Sequence, residues 1–186
     1  MYRRNEQTTY KKNRVPCSPG HPEKVDSEYE RNGVADVFMI FEPLAGKRET
    51  IVTETRNSID FANVLKYTSD VMYPFAEKVT IVTDNLNTHI TASLYKAFSP
   101  EEAHRLANRF EWHYTPKHGS WLDMAEIEIS TMCRQALSKP IADMDSFKQQ
   151  IKAWTLQRNI SCSKVNWQFT TLDARIKLKS LYPVIL

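Results

Sequence analysis

At 186 residues the chain has the size of about one domain, which excludes two full-sized ones. Its 41% hydrophobic and 11% aromatic residues can form a core and exclude low-complexity disorder, while 25 Lys and Arg against 22 Asp and Glu leave a net charge of +3, a bias that permits a polyanionic partner without requiring one. The longest apolar run, residues 37–41, is far below the ~18 residues that span a bilayer, and the polar N-terminal sequence excludes a signal core, so a soluble cytoplasmic protein with no membrane partner is expected.

The first 35 residues combine Arg3, Arg4, Lys11, Lys12 and Arg14 with Pro16, Pro19, Gly20 and Pro22 and show little apolar repetition. They predict an extended basic arm. From Asp36 the character changes. Val37-Phe-Met-Ile-Phe41, closed by Pro43 and Gly46, and the alternating Glu49-Thr-Ile-Val-Thr-Glu-Thr55 predict an antiparallel hairpin. Ser58 is a candidate cap for a helix with Phe61, Val64, Leu65 and Val71 or Met72 on one face, stopped by Pro74. Val79-Thr-Ile-Val-Thr83 is β-branched throughout and predicts a strand buried on both faces, ending abruptly in Asp84. Asn87 or Thr88 can cap a short helix through Leu94 and Phe98. Ser99-Pro-Glu-Glu102 then supplies an N-cap, a proline at the first helical position and a capping-box glutamate for a helix over 100–108. A strand over 110–115 and the loop Pro116-Lys-His-Gly119 follow. A helix over 124–137 places Ala125, Ile129, Met132 and Ala136 on one face, and a further helix over 145–158 turns Phe147, Ile151 and Trp154 inward. A segment around Trp167 and a short basic helix near Tyr182 end the chain. The organisation predicted is an arm over 1–35, an α/β core over 36–140 and a C-terminal helical extension over 141–186.

Two carboxylates stand out. Asp84 directly follows a buried strand, and the carboxyl ends of strands in α/β sheets open onto a crevice where ligands bind; an Asp84-Asn85 turn is the plainer alternative. Glu126 lies early in the helix after the Gly119 loop, and the wheel is taken to turn it further inward than Glu128. Oxygen ligands of this kind suit Mg²⁺ or Mn²⁺ better than zinc, whereas a solvated Glu near a helix N-terminus is the alternative. Cys17, Cys133 and Cys162 are too widely spaced for a CxxC metal site, and Trp112, Trp121, Trp154 and Trp167 are expected in the core.

Asp84-Asn-Leu-Asn-Thr-His89, then His113-Tyr-Thr-Pro-Lys-His-Gly-Ser-Trp-Leu-Asp-Met-Ala-Glu126, and Trp167-Gln-Phe-Thr-Thr followed by Asp173-Ala-Arg-Ile-Lys-Leu-Lys-Ser-Leu-Tyr-Pro183 closely resemble the DDE transposases of the mariner-like superfamily, in particular the bacterial insertion-sequence 630 group. The resemblance implies an RNase H-like mixed sheet flanked by helices. Its carboxylates hold two Mg²⁺ (or Mn²⁺) ions and cut and join DNA at transposon ends and target. It makes Asp84 the second carboxylate and Glu126 the third. Lys117 and His118 beside the site, and Arg175, Lys177 and Lys179 near the end of the chain, become candidates for phosphate contact.

Two departures qualify what the resemblance implies. The family carries Asn where this chain has Asp123. Its first carboxylate ends a central strand upstream of the Tyr29-Glu-Arg-Asn-Gly33 segment, and Asp26, Glu28, Glu30 and Asp36 do not occupy that position. The first, central strand is therefore expected to be missing and the chain to be an N-terminally truncated transposase core, inactive alone. The alternatives are the downstream half of a transposase split between reading frames, or a remnant that binds DNA, itself or full-length transposase and inhibits it. A nucleoid-associated cytoplasmic protein is expected in each case.

Overall fold

The computed structural model describes residues 2–4, 8–10, 14–21, 24–25, 29–31, 33–84, 86–115, 123–165 and 170–177. The basic arm is extended, and it also pairs with itself. Strands β1 (Tyr2–Arg4), β2 (Thr8–Tyr10) and β3 (Arg14–Val15) run out, and β4 (Lys24–Val25) and β5 (Tyr29–Arg31) return into β6 (Ala35–Glu42). The pairings Tyr2↔Val37, Thr8↔Arg31, Arg14↔Val25 and Ser18↔His21 share one register, so the three ladders are successive stretches of a single antiparallel ribbon. Its tip follows from two residues. Proline at 19 presets φ, and Gly20, at φ +83°, takes the left-handed position that the second turn residue requires. Thr8–Tyr10 thus pairs with Tyr29–Arg31 of the returning arm.

β6 continues into the predicted hairpin with β7 (Lys47–Thr53), in register from Asp36↔Thr53 to Glu42↔Lys47. Gly46 closes the turn at φ +67°, and a Cβ there would lie 2.8 Å from the Cys162 carbonyl oxygen. α1 (Ser58–Tyr67) is capped by Asn57 and not by Ser58. The Asn57 side chain accepts from the Ile59 and Asp60 amides, and Asp60 returns the bond to the Asn57 amide. A π-helical turn over Thr68–Met72 extends α1. The wider turn buries Thr68 and Ser69, and of the two alternatives offered by the spacing Val71 is 60% exposed while Met72 is half-buried.

β8 (Val79–Thr83) pairs in parallel with β9 (Phe110–Tyr114), joined by α2 (Ala92–Ala97) and α3 (Pro100–Arg109). α2 starts at Ala92, later than an Asn87 or Thr88 cap would place it, because residues 87–91 form a turn held by Ser93 Oγ donating to the Thr88 carbonyl. Ser99 caps α3 as predicted. Glu102 leaves the capping box and pairs with Arg105 and Lys66 instead. α4 (Met124–Ala136), α5 (Met144–Ile160) and α6 (Thr171–Lys177) complete the described elements, and none of the described helices is long and apolar enough to cross a membrane.

The result is a mixed α/β arrangement of small sheets flanked by helices, consistent with an RNase H-like type. β6 separates two apolar clusters because its side chains alternate. Ala35 and Val37 meet Met132 and Ala136 of α4 and Phe147, Ile151 and Trp154 of α5. Phe38 packs with Phe61, Leu65, Leu94, Leu106 and Phe110. Each fully buried Leu or Phe contributes roughly 1.5–3 kcal/mol.

The sheet β1-β6-β7 and the pair β8-β9 are not hydrogen-bonded to each other among the described residues. Between them lies a cavity of about 470 Å³, lined by residues 38–43 and 78–84, by Phe61, Val64 and Leu65 of α1, and by residues 123–125. β8 is consequently less covered than a β-branched central strand should be. Thr80 and Val82 are exposed, Val82 at 57%, which corrects the prediction of burial on both faces.

Candidate active site

Asp84 stands where β8 ends, half-buried at the rim of the cavity. His89 Nδ1 donates to its Oδ1 over 2.5 Å, and the Leu86 amide approaches the same oxygen at 3.4 Å. The turn offered by the sequence is therefore present, with a histidine added to it. His89 is buried, stacked on Phe61 with ring centroids 4.5 Å apart, and fixed by its own amide donating to the Leu86 carbonyl at 2.8 Å. Its Nε2 has no hydrogen-bond partner among the described residues. The bond from His89 pulls the Asp84 carboxyl below its ordinary pKa despite partial burial.

Two further carboxylates converge on this locus from the start of α4. Asp123 caps the helix, its Oδ1 accepting from the Ala125 amide at 2.9 Å. Burial raises its pKa, and the nearby Asp84 charge adds to the rise. Glu126 is raised for the same reasons, first by burial and then by Asp123 and Asp84. Three carboxyl groups thus sense one another's charge across the junction between β8 and α4. Hard oxygen donors of like sign are what a divalent cation relieves. Among the described residues, however, no three His, Cys, Asp or Glu side chains are grouped to enclose an ion.

Glu128 corrects the wheel-based expectation. It is the deeply buried carboxylate of α4, 1% exposed, whereas Glu126 is only half-buried. Its oxygens accept from Arg158 at 2.5 and 2.9 Å, and Oε1 lies 3.0 Å from the Arg48 guanidinium, itself 0% exposed. Arg48 also donates to the carbonyls of Gly46 and Ser163, while Asn159 bonds both its amide and its carbonyl. This network ties β7, α4 and α5 together and plays no part in the cavity.

Of the residues expected to contact DNA, Arg175 and Lys177 are exposed on α6, whereas Lys117, His118 and Lys179 lie outside the described residues. Trp121 and Trp167 lie outside them as well. Trp154 is buried as predicted, its indole donating to Gln135 at 2.8 Å, and Trp112 is half-buried among Phe61, Phe110 and Tyr114. The role of His89 was not among the expectations from sequence. A histidine five residues after a strand-ending aspartate was the available signal, since one turn brings the two side chains within reach.

Neither a curated protein nor a solved structure matches the chain. The family model described as DDE superfamily endonuclease matches residues 3–148, a span that takes in Asp84, Asp123 and Glu126 and all of the buried cluster residues except Ile151 and Trp154. With most of its length so matched, the chain belongs to the DDE superfamily endonucleases.

Proposed function

We propose that the chain is the catalytic-core part of a bacterial insertion-sequence transposase of the mariner-like 630 group, acting on DNA at the nucleoid, and that it does not cut DNA alone. The observation that carries this is the convergence of Asp84, Asp123 and Glu126 where β8 meets α4, with Asp123 and Glu126 raised in pKa by burial and by neighbouring negative charge. Asp84 and Glu126 are the proposed metal-holding carboxylates. A divalent cation there would stabilise the charge on a phosphodiester and activate a water or 3′-hydroxyl. His89 holds one oxygen of Asp84 and so presets the carboxylate plane, leaving Oδ2 for a cation. Asp123 adds negative charge while keeping its capping bond. Lys117 and His118 are placed by sequence next to α4, and Arg175, Lys177 and Lys179 are proposed to pair with phosphates of transposon end and target.

That the chain does not cut alone is proposed from the family resemblance, in which Asp26, Glu28, Glu30 and Asp36 do not occupy the position of the first carboxylate. The test is nicking of supercoiled plasmid with Mg²⁺ or Mn²⁺. No nicking above background is expected, together with a Mn²⁺-induced rise in melting temperature that Asp84→Asn and Glu126→Gln abolish. An equal rise in all three proteins would remove these residues from the site. Robust cleavage lost in Asp84→Ala would show that another acid completes it.

A further inference from the structure

β9 lies parallel to β8 in register from Val79↔Phe110 to Thr83↔Tyr114, and the Thr115 amide donates to the Thr83 carbonyl over 3.0 Å. In a parallel ladder the groups turned towards the neighbour belong to alternate residues. Glu111, His113 and Thr115 therefore direct their amides and carbonyls to β8, and Phe110, Trp112 and Tyr114 direct theirs outward. Among the described residues no strand pairs with that outer edge. Side chains alternate as well. Glu111 and His113 share one face of β9, 59% and 55% exposed and 3.2 Å apart. Phe110, Trp112 and Tyr114 share the other as a row of ring contacts, with centroids 5.9 and 6.1 Å apart, and Tyr114 at its end is 41% exposed.

We propose that this edge is a self-association surface, at which two copies of the chain join β9 to β9, antiparallel, about a two-fold axis at Trp112. The stretch Phe110-Glu-Trp-His-Tyr114 is its own antiparallel complement. Only its even-numbered residues present groups outward, so a second copy has to set even residues against even ones, and the allowed alignments differ by steps of two residues. Centred on Trp112, the alignment sets Glu111 opposite His113 of the second copy, His113 opposite its Glu111, Phe110 opposite its Tyr114 and the two Trp112 residues opposite each other. One step either way centres the pair on residue 111 or 113, and glutamate then meets glutamate or histidine meets histidine. Opposite-charge and aromatic cross-strand pairs stabilise a ladder, and like charges directly opposite destabilise it, so the sequence selects the first alignment. Every outward amide and carbonyl of Phe110, Trp112 and Tyr114 then has a partner. The contact is isologous and closes on itself, which gives a dimer and not a fibre. Five residues from each copy make a small interface, so a dissociation constant on the order of tens of micromolar is expected.

The test is sedimentation equilibrium of the full chain without DNA or metal, so that its failure is separate from failure of the proposed activity. A monomer–dimer equilibrium is expected. His113→Glu, which crowds carboxylates on one face of the joined sheet, should weaken it on the order of tenfold. Glu111→Lys combined with His113→Glu sets each lysine opposite a glutamate and should restore it. Both positions are exposed, so these variants change the contact and leave the core intact. Amide exchange followed by NMR should slow at Trp112 and Tyr114 as the protein concentration rises, while Glu111 and His113 are protected by β8 from the start. Four results would overturn the proposal. These are a chain that stays monomeric up to about 1 mM, a dimer indifferent to His113→Glu, a double variant as weak as the single one, and equal protection of the Trp112 and Tyr114 amides at every concentration.

Discussion

Glu126 and Glu128 are two residues apart on α4 and belong to two differently built regions. Glu128 faces the junction of β7, α4 and α5, where two arginines from distant parts of the chain neutralise it. Glu126 faces the end of β8, where the neighbouring charges are of its own sign. One region uses charge to lock elements together, and the other holds charge that is not neutralised within the chain's described residues. The difference teaches that burial of a carboxylate marks structure when its partners are cations, and marks a site when its partners are carboxylates.

The sharpest way to break this comparison is Glu128→Ala. It leaves Arg48 buried beside an empty space, and a loss of ~3–5 kcal/mol is expected in urea unfolding. Glu126→Ala in the same assay should cost little, and equal losses would dissolve the distinction. Gly46→Ala comes next. It forces a Cβ against the Cys162 backbone at a positive φ, on the locked side of the molecule, so a loss of about 1–3 kcal/mol is expected, with the melting temperature falling accordingly.

Smaller effects separate the two regions by pH. Asp123 and Glu126 have folded pKa values above their unfolded ones, so their contribution favours folding at low pH and is lost as the pH rises from the ordinary carboxyl range through the raised values. Asp70 behaves oppositely. Against the upward push of burial, hydrogen bonds from Lys66, Ser69 and Arg105 hold it down to about 2. Glu102 is likewise held to about 2 by Arg105 and Lys66. Their contribution is present above the ordinary range and lost as the pH falls towards about 2. Asp123→Asn keeps an N-cap and removes one of the repelling charges, so its melting temperature should exceed that of the wild type near neutral pH and converge with it in acid. Asp70→Asn should instead lower the melting temperature near neutral pH and converge in acid. A pH profile unchanged by Asp123→Asn would show that its carboxyl is not under strain from burial or from its neighbours.

The helices and the central hairpin were legible because local rules determine them. Ser99-Pro100 starts α3 whatever surrounds it, and the alternation in residues 49–55 makes a half-buried strand. Asp84 was legible as a position, since β8 has to end somewhere and an aspartate ends it. The depth of Glu128 was partly legible too. At ~100° per residue it lies about 60° from Ala125 and Glu126 about 100°, so the wheel placed Glu128 nearer the apolar stripe.

By itself, then, the sequence determined the hairpin, the β8 and β9 strands, the main helices, the Ser99 cap of α3 and the motif strings of the family, all of which depend on neighbours a few residues apart. Tertiary structure alone decided the rest. The arm became a ribbon because its two halves share one register, the π turn buried Thr68 and Ser69, and Arg48 was drawn into the interior by a carboxylate 80 positions later. That the outer edge of β9 pairs with no described strand was likewise decided there, since whether a strand edge is filled depends on which strands meet in space, and a strand's own residues carry the same hydrogen-bonding groups on both edges.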